Sequence, residues 1–251
     1  MGRKVIDSTK QIRNLKKNKN LLLSIVFVSI FIVLSILIGM LLLDIEFTTV
    51  TLVSILLLIL LLIELLLIKP KIMYIGIQYR YLLLISKSKE PYKVDEIFNT
   101  KWITKIVNSG YKYSYKGDYV DVLYRLSKPL ERNVFTNNSL LEIITIIKDN
   151  AIDFYDDILN DLYKNIWQLE QAKNKVSKQV IIQFKLYDDI NDHITDDLNR
   201  IISYREGKNH LVTINCGYFK KNQLFYYLHS DHYAPTLYYK HGVDLIQNLV
   251  K

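Results

Sequence analysis

Four consecutive polar residues, His229, Ser230, Asp231 and His232, are the densest set of side chains in this chain that could do chemistry. On an extended strand alternate residues share a face, so His229 and Asp231 would point the same way. An imidazole beside a carboxylate can ligate a metal or pass a proton. A metal needs three or four ligands, and His210 and His241 are the obvious additions. Ser and Asp are equally at home in a turn after a strand, so a solvated turn is the competing reading. Carboxylates also recur four residues apart, as Asp153/Asp157/Asp161 and Asp188/Asp192/Asp196. On helices such spacing gathers acids on one face, either for Mg²⁺ or as first-turn acids favoured by the helix dipole. The single cysteine, Cys216, ends an apolar run beside Gly217. Nothing local marks it as a nucleophile, and a buried small apolar side chain is the expected role. One cysteine also excludes an intrachain disulfide.

Tyrosines alternate with basic residues between Tyr74 and Tyr124, as in Tyr79-Arg80-Tyr81 and Tyr111-Lys112-Tyr113. This pattern can meet nucleic acid by phosphate contact and stacking. It can equally meet anionic lipid headgroups, because the stretch adjoins the membrane-like segments. A third reading is simple strand preference. The 19 tyrosines accompany many Lys, Asn and Ile, residues with AT-rich codons, which suggests a bacterium with an AT-rich genome.

Val180-Ile181-Ile182-Gln183-Phe184-Lys185 resembles the Gln-x-Lys strand of restriction-endonuclease-like proteins of the Mrr type. The later apolar run at 211–217 sits where that family has a strand, and Gly117-Asp118 or Asp121 could supply its acid. The resemblance implies a Mg²⁺-dependent nuclease with Asp121, Gln183 and Lys185 as catalytic residues. In that family the acid-bearing hairpin runs almost directly into the Gln-x-Lys strand; here roughly 60 residues intervene between Asp121 and Gln183. No P-loop, GxGxxG, CxxC, HExxH, GxSxG or EF-hand pattern occurs, which excludes the common motif-bearing NTPases, dehydrogenases, zincins and hydrolases.

The elements that must position these residues begin with two membrane-length runs. A charge-free run of 23 residues opens at Leu21 and closes at Leu43, long enough for roughly 34 Å of helix across a ~30 Å hydrocarbon core. A second run opens at Phe47 and closes at Ile68, with Glu64 as its only charge, about one turn from the end. Backbone in lipid must satisfy its own hydrogen bonds, so both runs are expected to be helices. The first exceeds a signal-peptide core and lacks a small-x-small cleavage site. Ser35 and Gly39 form a small-xxx-small pair, suited to close packing either against the second helix or against another copy.

The net charge of +8 is uneven: residues 1–20 carry +6 and residues 69–132 carry +7, whereas residues 133–251 carry −2. The turn at 44–46 has no basic residue, so the positive-inside rule places both termini in the cytoplasm. The expected fold is therefore a membrane α-helical hairpin (two transmembrane helices, 21–43 and 47–68) after a basic segment at 1–20. A soluble mixed α/β (α+β) domain follows at 72–251, large enough for a core of its own.

Within that domain, residues 72–77 and 81–86 read as strands, and Asp95 can cap a helix running to about 108 with Gly110 as its stop. Residues 111–115 and 119–126 flank Lys116-Gly117-Asp118 as a hairpin, and residues 133–136 read as a further strand. Asn138 or Ser139 then opens a helix carrying Leu140, Leu141, Ile143, Ile144 and Ile147, and a second helix covers 152–172. Residues 179–186 read as a central strand, 189–204 as a helix, 210–216 and 224–229 as strands, and 239–250 as a closing helix.

The expectation that follows is a multi-pass protein of the cell membrane whose cytoplasmic domain binds or scaffolds something. The bilayer is one partner; a protein or a second copy is another, and the basic 69–132 region could face anionic headgroups. Nucleic acid is the weakest of the partners. No cofactor is expected, apart from Mg²⁺ under the nuclease reading.

Overall fold

The computed structural model describes residues 2–43, 45–131, 139–200, 202–206 and 209–251. The chain divides into two compact units, Met1–Ser86 and Lys87–Lys251.

The first unit is a helical hairpin of α1 (Gly2–Leu42) and α2 (Phe47–Ser86). Thr9–Leu42 and Phe47–Ser86 are long and apolar enough to cross a membrane. Their large side chains point outward: Phe31 is 71% exposed and Leu66 64%. A soluble surface does not leave a band of this kind bare. Three hydroxyls of the hairpin are satisfied internally. The Ser29 hydroxyl donates to Glu64 Oε1 at 2.8 Å, tying the helices together, while Thr51 and Ser54 donate to the carbonyls of Phe47 and Val50. Ser35 is exposed, and a Cβ added to Gly39 would meet nothing within 4 Å. The small pair therefore does not serve close packing against α2.

Both helices outrun the apolar segments. α2 is 40 residues long, roughly 60 Å, and continues through Pro70. Residues 72–77 and 81–86, read from sequence as strands, are helix, and the expected domain start at 72 moves to Lys87. Extending an existing helix adds a hydrogen bond per residue without a new nucleus, which outweighs the strand preference of Ile and Tyr. A neighbour is available too: Gln11 and Leu15 of α1 share a cleft with Gln78 and Leu82 of α2. Residues 2–20 of the basic segment are correspondingly part of α1.

The second unit is a mixed α/β domain. In chain order it contains β1 (Tyr92–Lys93), α3 (Thr100–Asn108), β2 (Lys112–Lys116), β3 (Val120–Ser127), β4 (Leu140–Ile147), α4 (Asp157–Asn174), β5 (Lys178–Tyr187), α5 (Asp192–Leu198), β6 (Ile202–Glu206), β7 (Asn209–Phe219), β8 (Leu224–Tyr227) and α6 (Leu237–Val250). The sheet runs β1-β8-β7-β5-β4-β3-β2, with β6 pairing on β7. β5 is parallel to both β4 and β7, and the other pairings are antiparallel. β7 shares one edge between two strands: β6 takes residues 209–213 and β8 takes 216–219.

Several sequence expectations hold, and others are corrected. The β2–β3 hairpin, β5 as a central strand, α4 and α6 are as expected. The expected helix over Leu140, Leu141, Ile143, Ile144 and Ile147 is instead β4, every residue of which is buried. A strand covered on both faces reads as a continuous apolar run, which periodicity cannot tell from a buried helix. Asn99, not Asp95, caps α3, its side chain accepting from Trp102 N at 2.8 Å. The expected helix at 189–204 stops at Leu198, because the residues that follow pair with β7 as β6. The strand expected at 133–136 lies outside the described residues.

Two cores sandwich the sheet. On one face, α4 covers Leu141, Ile143 and Ile181, with Leu159, Tyr163 and Ile166 directed inward. On the other, Trp102 of α3 meets Phe184, and α6 comes so close at Gly242 that an added Cβ would lie 2.7 Å from Ile214 Cδ1.

Candidate functional site

Register decides the fate of the proposed nuclease residues. Asp121 pairs with Ile146, and Ile146 pairs with Phe184, so Asp121 shares a face with Phe184. Gln183 and Lys185 flank Phe184 and therefore point to the opposite face. The buried Asp121 carboxylate meets Lys148 Nζ at 2.8 Å. Lys185 Nζ donates to the carbonyls of Asn150 and Ile152 at 3.2 and 2.7 Å and lies 3.6 Å from Asp153. Burial lowers the pKa of Lys185, with Asp153 opposing the shift. The three side chains do not converge, and the acid–Gln–Lys cluster of a nuclease is not assembled.

The other candidates are likewise dispersed. His229 is buried, stacked on Tyr227 at 4.1 Å, with Nδ1 at 3.0 Å from the Tyr227 carbonyl; burial lowers its pKa. Asp231 pairs with Lys89 instead. His210 packs on the Tyr238 ring, and His241 reaches Glu142. No group of three His, Cys, Asp or Glu suited to a metal exists among the described residues. Asp156 caps α4, and Asp189 pairs with Lys221. Cys216 is fully buried, and burial pushes its thiol well above the ordinary value, so it is no nucleophile. In the β2–β3 hairpin the basic groups sit on the aromatic rings: Lys112 over Tyr124, Lys116 over Tyr113 and Arg125 over Tyr111.

A different site emerges beneath α4, where a cavity of about 330 Å³ opens against β5 and β7. Its floor is set by strand alternation. Gln179, Ile181 and Gln183 of β5 share one face, and register brings Leu211 and Thr213 of β7 beside them. Its roof is one stripe of α4, where Asn160, Tyr163, Lys164 and Trp167 recur at helical spacing. Phe154 and Tyr155 close one end, and Asn209 and His210 line the start of β7. Lys164 is exposed.

The polar groups of this face are only partly paired. Gln183 Nε2 donates to the Phe154 carbonyl and to Tyr163 Oη, both at 2.9 Å. Tyr163 Oη also lies 2.7 Å from Thr145 Oγ1. These bonds fix the orientation of the Gln183 amide and turn its oxygen the other way. That oxygen, Gln183 Oε1, is buried without a partner, as are Gln179 Nε2 and the neighbouring Asn215 Oδ1. A buried polar atom left unpaired costs about 1–3 kcal/mol. Burial pushes the Tyr163 hydroxyl up to about 12, despite bonds to Thr145 and Gln183, so it remains a neutral hydrogen-bonding group.

Among themselves the described lining residues form no nucleophile–base pair; they offer aromatic walls and a few fixed hydrogen-bonding atoms, the ordinary equipment of a small-molecule site. Sequence reasoning reached Gln183 only through the Gln-x-Lys resemblance and missed Gln179, Thr213, Trp167 and Tyr163. The legible signal was polar residues at alternate positions of an otherwise apolar central strand. No family model, no curated protein and no solved structure matches this chain.

Proposed function

We propose that this is a two-pass membrane protein whose cytoplasmic α/β domain binds a small organic ligand in the cavity beneath α4. The observation that carries the reading is the cavity itself, walled by Phe154, Tyr155, Tyr163 and Trp167 over a floor of Gln179, Ile181 and Gln183. The membrane part is supported by the two apolar helices and by the concentration of Lys and Arg at residues 1–20 and at Lys69 and Lys71. The role this cavity supports is ligand-dependent binding at the membrane.

Native mass spectrometry of the full chain released from nanodiscs tests the binding reading. A small molecule should accompany the protein and be lost when Thr213→Trp fills the cavity. If the chain is always bare, and a fragment mixture leaves the Trp167 emission unchanged, the reading falls.

Sidedness has its own test. Cys216 is buried, so the native chain gives a quiet background for cysteine labelling. Glu46→Cys should react with a membrane-impermeant maleimide in intact cells, and Lys10→Cys and Lys251→Cys only after permeabilisation. The reverse pattern would invert the topology.

A further inference from the structure

We propose that the open end of the hairpin, where α1 and α2 leave the apolar layer together, binds the phosphates of anionic phospholipids through Lys16, Lys17, Lys19, Lys69 and Lys71. This inference rests on the membrane reading above and is independent of the cavity beneath α4.

Register comes first. The hydrogen bond between Ser29 and Glu64 sets those two residues level on antiparallel helices. The same register places Gln11 opposite Leu82 and Leu15 opposite Gln78, and these four residues do share a cleft. It follows that Ser24 stands level with Lys69, Leu22 with Lys71 and Lys19 with Tyr74. Lysines far apart in the chain therefore form one band around the hairpin.

Depth follows from length. The apolar run of α2 ends at Ile68. Outside a ~30 Å hydrocarbon core, the headgroup layer adds about 5–7 Å on each side, or about four residues of helix. Lys69 and Lys71 fall inside that layer, Lys19 stands at its outer edge, and Lys17 and Lys16 follow within the next turn. Lys16, Lys17, Lys69 and Lys71 are exposed, and Lys19 is half-buried.

The surroundings name the partner. Residues 8–43 and 65–89 contain no Asp or Glu, so the helices supply no carboxylate at this level to answer five ammonium groups. Met73 and Tyr74 are 50% and 63% exposed beside the lysines, and Ile77 is 48% exposed one turn further on. A charged stalk standing in water does not account for bare apolar side chains among its cations. A layer that is apolar on one side and charged on the other does, and Tyr is at home at its level. The anion held at that depth is the lipid phosphate, and four to eight basic residues beside a membrane helix are the pattern that recruits anionic lipid. Phosphatidylcholine carries its own ammonium group, so the preference is for lipids with a net negative charge.

The test places the full chain in phosphatidylcholine vesicles and adds spin-labelled phosphatidylglycerol or spin-labelled phosphatidylcholine. The readout is the motionally restricted fraction of each lipid, which gives their relative association with the protein. Phosphatidylglycerol should be favoured about fivefold, the ratio expected for one lysine per lipid, and high salt should erase the preference. Lys69→Gln with Lys71→Gln should lower the ratio, as should Lys16→Gln, Lys17→Gln and Lys19→Gln together. Arginine at the same positions should restore it, and Lys101→Gln with Lys128→Gln, exposed in the other unit, should leave it unchanged. Equal restriction of the two lipids, or a ratio that neither set of glutamines alters, overturns the proposal. A ratio lost in phosphate but kept in chloride of the same ionic strength assigns the lysines to free phosphate and overturns it too. If neither lipid is restricted the proposal fails, and the membrane reading fails with it only if the chain also stays in solution without detergent.

Discussion

Phe184→Ala in β5 is expected to lower the unfolding free energy of the Lys87–Lys251 unit by about 3–5 kcal/mol. The Phe184 ring is fully buried. It meets Trp102 edge-on at 5.1 Å and lies 6.1 Å from Phe225 in a stacked arrangement. Those contacts join α3, the central strand and β8, and the indole of Trp102 in turn donates to the Leu249 carbonyl of α6 at 3.0 Å. Removing the ring leaves a hole between elements that are too well packed to collapse into it. A domain of this size has only about 5–15 kcal/mol in hand, so the loss is a large share of the total. Urea unfolding of the full chain in detergent reads it directly, because both tryptophans, Trp102 and Trp167, belong to this unit. Phe184→Leu should cost less. A loss below about 1 kcal/mol for the alanine variant would mean that the α3–α6 face is not packed as described.

The second large effect concerns acid. Glu142 of β4 is buried, and burial by itself would raise its carboxyl. It nevertheless sits at about 2, against an ordinary 4.5, because His241, Tyr111 and Arg125 hold the anion. His241 Nε2 lies 2.9 Å from Oε1, while Tyr111 Oη donates to Oε2 at 2.7 Å and Arg125 Nε at 2.6 Å. A carboxyl whose pKa falls on folding stabilises the fold above its unfolded value. That contribution, about 3 kcal/mol, should be complete above pH 4.5 and should disappear as pH falls from there towards about 2. Glu142→Gln keeps the shape and removes the charge. Its deficit relative to the unaltered protein should be greatest near neutral pH and should shrink across the same interval. A deficit that stays constant down to pH 2 would show that packing, not ionisation, is what Glu142 contributes.

Glu142 also illustrates why β4 was misread. Leu140, Leu141, Ile143, Ile144 and Ile147 fit one side of a helix, and Glu142 and Thr145 fit its polar side. In the fold both polar residues are buried, Glu142 against His241 of α6 and Thr145 against Tyr163 of α4. Their partners lie 99 and 18 residues away, on opposite faces of the sheet, and no local pattern announces them. Similarly, nothing near Ile202 indicates that it will pair with Thr213, so β6 was absorbed into the preceding helix.

The membrane-length helices, the Lys116-Gly117-Asp118 hairpin, the β5 strand and the α4 and α6 stripes could all be read from the chain alone. Each is specified by local chemistry: an apolar run long enough for a bilayer, a turn between Tyr-rich segments, or apolar residues at one helical spacing. The face on which each side chain ends was beyond that reach. Asp121, Gln183 and Lys185 look like one cluster in sequence, yet a pairing register that places Asp121 with Phe184 puts the sheet between them. The same parity aligns Gln179 and Gln183 with Thr213 under α4, on the floor of the cavity. A one-residue shift in register would reverse both results, because alternate side chains leave a strand on opposite sides, and register is set by the long-range packing of strands and helices.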